Sequence, residues 1–140
     1  MKNKKNIIGL IGDKKYKDIV SDILISNGFY RTNIIDKVQS ISKLLEMDAD
    51  LNSIRERGYK IGRLYWINLL LSAIPEDKKL ILIDDIRLED VVEKIMKVYY
   101  ICDKNQENIP KDMEAIYINS NVEEFKSEVM KKFEPLRISN

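Results

Sequence analysis

Ile7-Ile8-Gly9-Leu10-Ile11-Gly12-Asp13-Lys14-Lys15-Tyr16-Lys17-Asp18-Ile19-Val20 decides how this chain folds. It starts as an apolar run without alternation, the pattern of a strand buried on both faces. It then crosses a short stretch with Gly and Lys, and resumes with Ile19, Val20, Ile23 and Leu24 at i, i+1, i+4 and i+5, a helical spacing. Strand, glycine-and-lysine loop, helix is an arrangement that cradles phosphate. Backbone N–H groups at the helix start point at the anion, the helix dipole favours negative charge, and a lysine neutralises the outer oxygens. The rule for such a loop is G-x-x-x-x-G-K-[ST]. Counted from Gly12, the lysine arrives one residue early at Lys17, Tyr16 stands where a second glycine belongs, and Asp18 replaces the hydroxyl that holds Mg²⁺. The stretch reads as an eroded phosphate loop or as an ordinary strand-to-helix turn.

The rest of the chain supplies alternating elements. Residues 17–27 are expected to form a helix stopped by Gly28, and residues 29–32 a short strand or extended link. Residues 34–46 carry Ile35, Val38, Ile41, Leu44 and Leu45 at helical spacing, and residues 47–58 read mainly as loop. Residues 61–74 are the most apolar helix candidate, ended by Pro75. Further strands are expected at 79–83, 98–101 and 115–118, with a helix over 88–96 and a polar connection over 103–114. Asn121 with Glu124 resembles a capping box opening a last helix, and Pro135 lies just beyond it. Short buried strands alternating with helices imply a three-layer α/β/α fold with a mostly parallel sheet of four to five strands.

Composition sets the outer limits. The 140 residues suit one domain, read as 1–140, with a genuine core. A net charge of +1 provides no global field to draw nucleic acid, so no direct nucleic-acid binding is expected. There is no histidine, which removes His-based triads, His general bases and His metal sites. One cysteine, Cys102, allows no internal disulfide and fits a reducing cytoplasm. The basic N-terminus leads into an apolar run broken by Gly9 and Gly12, so neither a signal peptide nor a membrane span is expected.

Several side chains could carry chemistry. Lys17, flanked by Lys14 and Lys15, leads as a phosphate ligand; the plainer alternative is a solvated lysine in a first helical turn. Asp84 and Asp85 end a buried strand, where ligands of open parallel sheets sit. They could hold Mg²⁺ or simply cap the next segment of the chain. Arg55, Arg57, Arg63 and Arg87 could surround a transferred phosphoryl group, or lie on the surface. Trp66 and Cys102 read as packing residues.

Taken together, these pieces resemble the deoxynucleoside monophosphate kinase family, a branch of the P-loop kinases known from bacteriophages and bacteria. The family opens with a pattern like I-I-G-L-x-G-x-x-G-S-G-K-D-T-V-A-D, which residues 7–12 and 17–22 match with two glycines, one residue of length and one Thr missing. Gly62-Arg63 and Trp66 look like its middle helix, and residues 83–90 resemble I-x-D-V-R-F-x-N-E through Arg87. The resemblance implies a kinase-like fold and a site in which Gly12, Lys14, Lys15, Lys17 and Asp18 meet ATP. Lys17, Arg63, Asp85 and Arg87 would serve catalysis, with Asp84 and Asp85 near Mg²⁺; Asp36 loosely matches the family's acceptor-side acid. ATP, Mg²⁺ and a deoxynucleoside monophosphate are the expected ligands if the chain is active, in the cytoplasm of a host cell if it is viral. The departures weigh against activity: a shortened loop, no loop hydroxyl, and a connection at 103–114 without the family's lid arginine. Each positioned contributor of this kind carries roughly 3 kcal/mol of barrier lowering. The competing expectation is a pseudokinase, a nucleotide-sensing or protein-binding module, such as a phage protein engaging a host factor. Dimerisation stays open, because the helix over 61–74 can serve as core or as interface.

Overall fold

The computed structural model describes residues 5–105 and 108–134. Five strands form one parallel sheet: β1 (Asn6–Gly12), β2 (Tyr30–Thr32), β3 (Leu80–Ile83), β4 (Lys97–Cys102) and β5 (Met113–Tyr117), in the order β2-β3-β1-β4-β5. The helices are α1 (Lys14–Ser26), α2 (Ile34–Leu44), α3 (Leu51–Ile61), α4 (Tyr65–Ser72) and α5 (Val122–Phe133), with a 3₁₀ turn at Leu88–Asp90. The parallel three-layer α/β/α architecture is the one the sequence pattern implies.

Strand side chains alternate between two cores, as the pleat requires. Ile8, Leu10, Leu80, Leu82, Tyr99, Ile101 and Ile116 face α1 and α5, packing against Val20, Leu24, Phe125, Val129 and Phe133. Ile81, Ile83 and Val98 face the opposite way, against Ile34, Val38, Ile54, Trp66, Ile67 and Leu70 of α2, α3 and α4. All four residues of β3 are buried, which explains why that run is apolar without alternation.

Four boundaries depart from expectation, each for a local reason. Helix α1 begins at Lys14 rather than 17, because Asp13 is its N-cap and accepts the Tyr16 N–H at 3.3 Å. Residues 47–58 are not mainly loop: α3 starts at Leu51, capped by Asp50, whose two carboxylate oxygens take the Ser53 N–H (3.0 Å) and Oγ–H (2.9 Å). Its helical period is hard to see in the sequence because Arg55 and Gly58 occupy its buried face beside Ile54. The helix expected over 61–74 is only α4, since Gly62 is extended and separates it from α3. The helix expected over 88–96 shrinks to the 3₁₀ turn, because the Asp90 carboxylate folds back onto the Arg87 N–H at 2.9 Å. Asn121 caps α5 through the Glu124 N–H at 3.1 Å, as its spacing suggests. Pro135 lies outside the described residues.

Gly58 shows how closely α3 and α4 meet. A Cβ placed there would lie 2.1 Å from Nε1 of the Trp66 ring. That ring is fully buried and donates its N–H to the Arg55 carbonyl at 2.7 Å, so it has no room to retreat. Helix propensity alone makes Gly→Ala favourable by about 1 kcal/mol, whereas overpacking a tight core costs ~1–3 kcal/mol. Gly58→Ala is expected to lower the urea unfolding midpoint despite its better propensity; a rise would mean that the helices separate without cost.

Candidate functional site

The carboxyl ends of β1 and β3 lie side by side, paired through Gly9 and Ile83, and the predicted site residues are followed outward from these two ends. At the β1 end the chain passes from strand to helix through Asp13 alone. Gly12 has φ +135°, and a Cβ on it would lie 2.2 Å from the Ile101 carbonyl oxygen of β4. Its glycine identity therefore serves the close approach of the paired β4 backbone and the positive φ. Asp13 then sets its carboxylate on the first turn of α1, where the Tyr16 N–H is taken. Lys14 pairs with Asp18 at 3.0 Å in an exposed i,i+4 bridge. The Lys15 ammonium lies 5.5 Å from the centre of the Tyr16 ring. Lys17 is half-buried, with its backbone N–H bonded to the Asp13 carbonyl at 2.8 Å.

At the β3 end the two acids are already engaged. Asp84 is buried and pairs with Nε of Arg31, which β2 carries next to it. The hydrogen bond to Asp84 is the main reason the Arg31 guanidinium holds its proton more tightly than usual. Asp85 turns to α2, accepting the Ile34 N–H at 2.7 Å and the Ile35 N–H at 2.8 Å, one on each oxygen. It caps that helix from another part of the chain, beside the local cap in which Asn33 accepts the Asp36 N–H at 2.9 Å. A carboxylate on two N–H groups at a helix start is favoured by both hydrogen bonding and the helix dipole.

Arg55 reaches the same place from α3. It is 4% exposed, and Nη2 donates to the Asp85 carbonyl (2.8 Å) and to Oδ2 of Asp90 (3.1 Å), while Nη1 lies 3.5 Å from Oδ2 of Asp85. Its Nε donates to the Tyr59 hydroxyl at 3.0 Å, and that hydroxyl donates to Asp90 at 2.9 Å. Asp90 is 0% exposed. Burial pushes its carboxyl upward; the Arg87 N–H, the Tyr59 hydroxyl and the Arg55 charge oppose that shift without cancelling it. Burial is also the main reason the Tyr59 phenol is pushed up to about 12. Burial pulls Arg55 down, yet its bond to Tyr59 and the charges of Asp85 and Asp90 hold it above its ordinary value.

The remaining arginines are occupied as well. Arg87 pairs with Glu56 at 2.8 Å and donates to Asn52 Oδ1 at 3.3 Å. Arg63 donates from Nη1 to the carbonyls of Glu89 and Val91, both at 3.0 Å. Arg57 is exposed on α3. The structure thus brings Asp84, Asp85, Arg87 and Arg63 around the β3–β4 connection, and Gly12, Lys14, Lys15, Lys17 and Asp18 around the start of α1. Arg31, Tyr59 and Asp90 were not legible as site residues. The one signal for them is the i,i+4 spacing of Arg55 and Tyr59, which places both side chains on one helical face. Trp66 and Cys102 are core residues, and burial pushes the Cys102 thiol upward, away from a reactive thiolate. Among the described residues, no three acidic or cysteine side chains converge as a metal cluster.

No family model matches the chain, and no curated protein matches it in sequence. In structure it is similar to dephospho-CoA kinase from Campylobacter jejuni, with a TM-score of 0.62 at 12% identity, covering 95% of this chain and 98% of that one. The likeness extends over nearly all of both chains. It establishes a P-loop kinase-like fold, and at that identity the fold alone. No helix among the described residues is long and apolar enough to cross a membrane.

The buried network has two measurable consequences. Arg55→Met leaves the Asp90 charge without its guanidinium, and breaking such a buried pair costs about 3–5 kcal/mol. The loss in urea unfolding should be smaller at pH 4.5 than at pH 7.5, because the raised Asp90 carboxyl escapes the penalty by taking up a proton. Tyr59 gives the alkaline counterpart. Its phenol titrates near 10 when unfolded and at about 12 when folded. The folded state therefore keeps the proton longer, and the stability tied to it is complete below pH 10 and lost as pH rises towards 12. Tyr59→Phe should be less stable at pH 7 yet lose less on going from pH 10 to 12, as read from urea midpoints.

Proposed function

We propose that this chain is a P-loop kinase-like protein that does not transfer phosphate and acts as a binding module. One observation carries the reading: Asp13 caps α1 one residue after Gly12. Phosphate binding at a helix start needs free N–H groups and positive potential. Here a carboxylate occupies that position and repels an anion. The donor set does not fit Mg²⁺ either. Both oxygens of Asp85 are taken by backbone N–H groups, and Asp84 is neutralised by Arg31. Arg63 and Arg87, the cations that the family resemblance assigns to an acceptor nucleotide, are committed to carbonyls and to Glu56. Phosphoryl transfer is positioning plus charge stabilisation, and these groups are already spent within the chain.

The family resemblance at residues 7–22 and 83–90 supports descent from a deoxynucleoside monophosphate kinase. The competing reading, slow transfer from ATP to a deoxynucleoside monophosphate, is favoured by Lys17, which makes no ion pair among the described residues. A coupled ADP-release assay with Mg²⁺, ATP and each deoxynucleoside monophosphate separates the two. We expect no turnover above the Lys17→Ala background, and calorimetry with ATP should show no Mg²⁺-dependent heat. Steady turnover that disappears in Lys17→Ala would overturn the proposal.

A further inference from the structure

Among the described residues, strand β5 ends the sheet order and pairs with β4 alone. The Ile118 N–H donates to the Cys102 carbonyl at 2.9 Å. With a strand period of two, the N–H and C=O groups of Ala115 and Tyr117 therefore point away from β4. An edge of this kind is a template for another strand unless something blunts it. β5 contains no proline, and Tyr117 is 41% exposed.

A groove of about 400 Å³ runs between this edge and α5. Its floor is apolar, built from Ile116, Phe125 and Val129, and Lys104, Lys131 and Lys132 line it as well. Lys132 is paired with Glu114 at 2.7 Å; Lys104 and Lys131 form no ion pair among the described residues. Among the described residues, Glu128 is the one acid on the lining, and it accepts a hydrogen bond from Nδ2 of Asn119 at 3.1 Å. Unpaired backbone, apolar floor and surplus positive charge thus coincide in one place.

The geometry points to this groove as the docking site of an extended, acidic segment of a protein partner, added to the sheet beside β5. Backbone bonds to Ala115 and Tyr117 set its register. Alternate side chains enter the apolar floor, and carboxylates on the remaining positions meet the lysines. A polyanion such as single-stranded nucleic acid would satisfy the lysines but leave the strand edge unpaired, so the extended acidic chain fits better. The inference concerns a surface two strands away from β1, and it holds whether or not ATP is turned over.

The test uses the full chain and a labelled peptide of alternating Glu and Val, with a control peptide in which every Glu becomes Lys. Fluorescence anisotropy should show saturable binding of the acidic peptide. Binding should be weaker by about tenfold or more for the basic peptide and for Lys104→Glu/Lys131→Glu, and should decline with added salt. Hydrogen exchange read by NMR should slow at the Ala115 and Tyr117 amides when the acidic peptide is bound. No binding up to ~1 mM, equal binding of both peptides, or protection elsewhere would overturn the assignment. Stronger binding of oligothymidylate than of the peptide would also overturn it, in favour of a polyanion site. A dimer that protects the same amides without peptide would overturn it in favour of a second copy of this chain.

Discussion

A single buried guanidinium organises one whole side of this protein. Arg55 is almost inaccessible to water, and so is the Asp90 it meets. Taking two such charges out of water costs several kcal/mol each unless every donor and acceptor finds a partner. Here the partners come from different segments: Tyr59 from α3 itself, the Asp85 carbonyl and carboxylate from the end of β3, and the Arg87 N–H from the turn beyond it. Helix α3 cannot shift without exposing or orphaning one of these groups. Asp85 passes the constraint on, since the same carboxylate caps α2. Three elements are thereby fixed around one polar cluster, with Trp66 closing it through its bond to the Arg55 carbonyl.

The same constraint bears on function. In an open parallel sheet the crevice at the strand carboxyl ends is where ligands bind. That crevice needs polar groups aimed outward and free to meet a substrate. Here the acids at the end of β3 face neighbouring helices and arginines, and the carboxylate after β1 faces its own helix. Residue types suited to nucleotide chemistry are present, but their hydrogen-bonding capacity is used for internal cohesion. It is on that basis that a binding role is proposed for a kinase-like fold.

How far the sequence could be read depended on where its apolar residues lie. The strands were legible because β1 and β3 are buried in the middle of the sheet and read as unbroken apolar runs. Helix α5 was legible because Phe125, Val129 and Phe133 form a plain stripe behind an Asn cap. Helix α3 was hidden because its buried face carries Arg55 and Gly58, residues that look like surface and loop when taken alone. The segment after Arg87 misled in the opposite direction: Val91, Val92 and Met96 have helical spacing, yet the Asp90 side chain closes a tight turn first. Asp84 and Asp85 are legible as strand-end residues, because β3 stops at Ile83 just before them. Their partners are not visible, because Arg31 and the Arg55–Tyr59 pair come from distant segments, and the i,i+4 spacing of that pair does not say which acids it meets.

The abruptness of the step from β1 to α1 limits how this protein could change. A cradle for an anion is made of successive backbone amides on a loop, and a connection of one residue has too few of them whatever its side chain. Replacing Asp13, Tyr16 or Asp18 would alter charge and leave the length as it is, while Gly12 is pinned against the β4 backbone. Building such a cradle here would require inserting chain, which no single substitution supplies. Chain length, more than side-chain chemistry, therefore sets what this corner can hold.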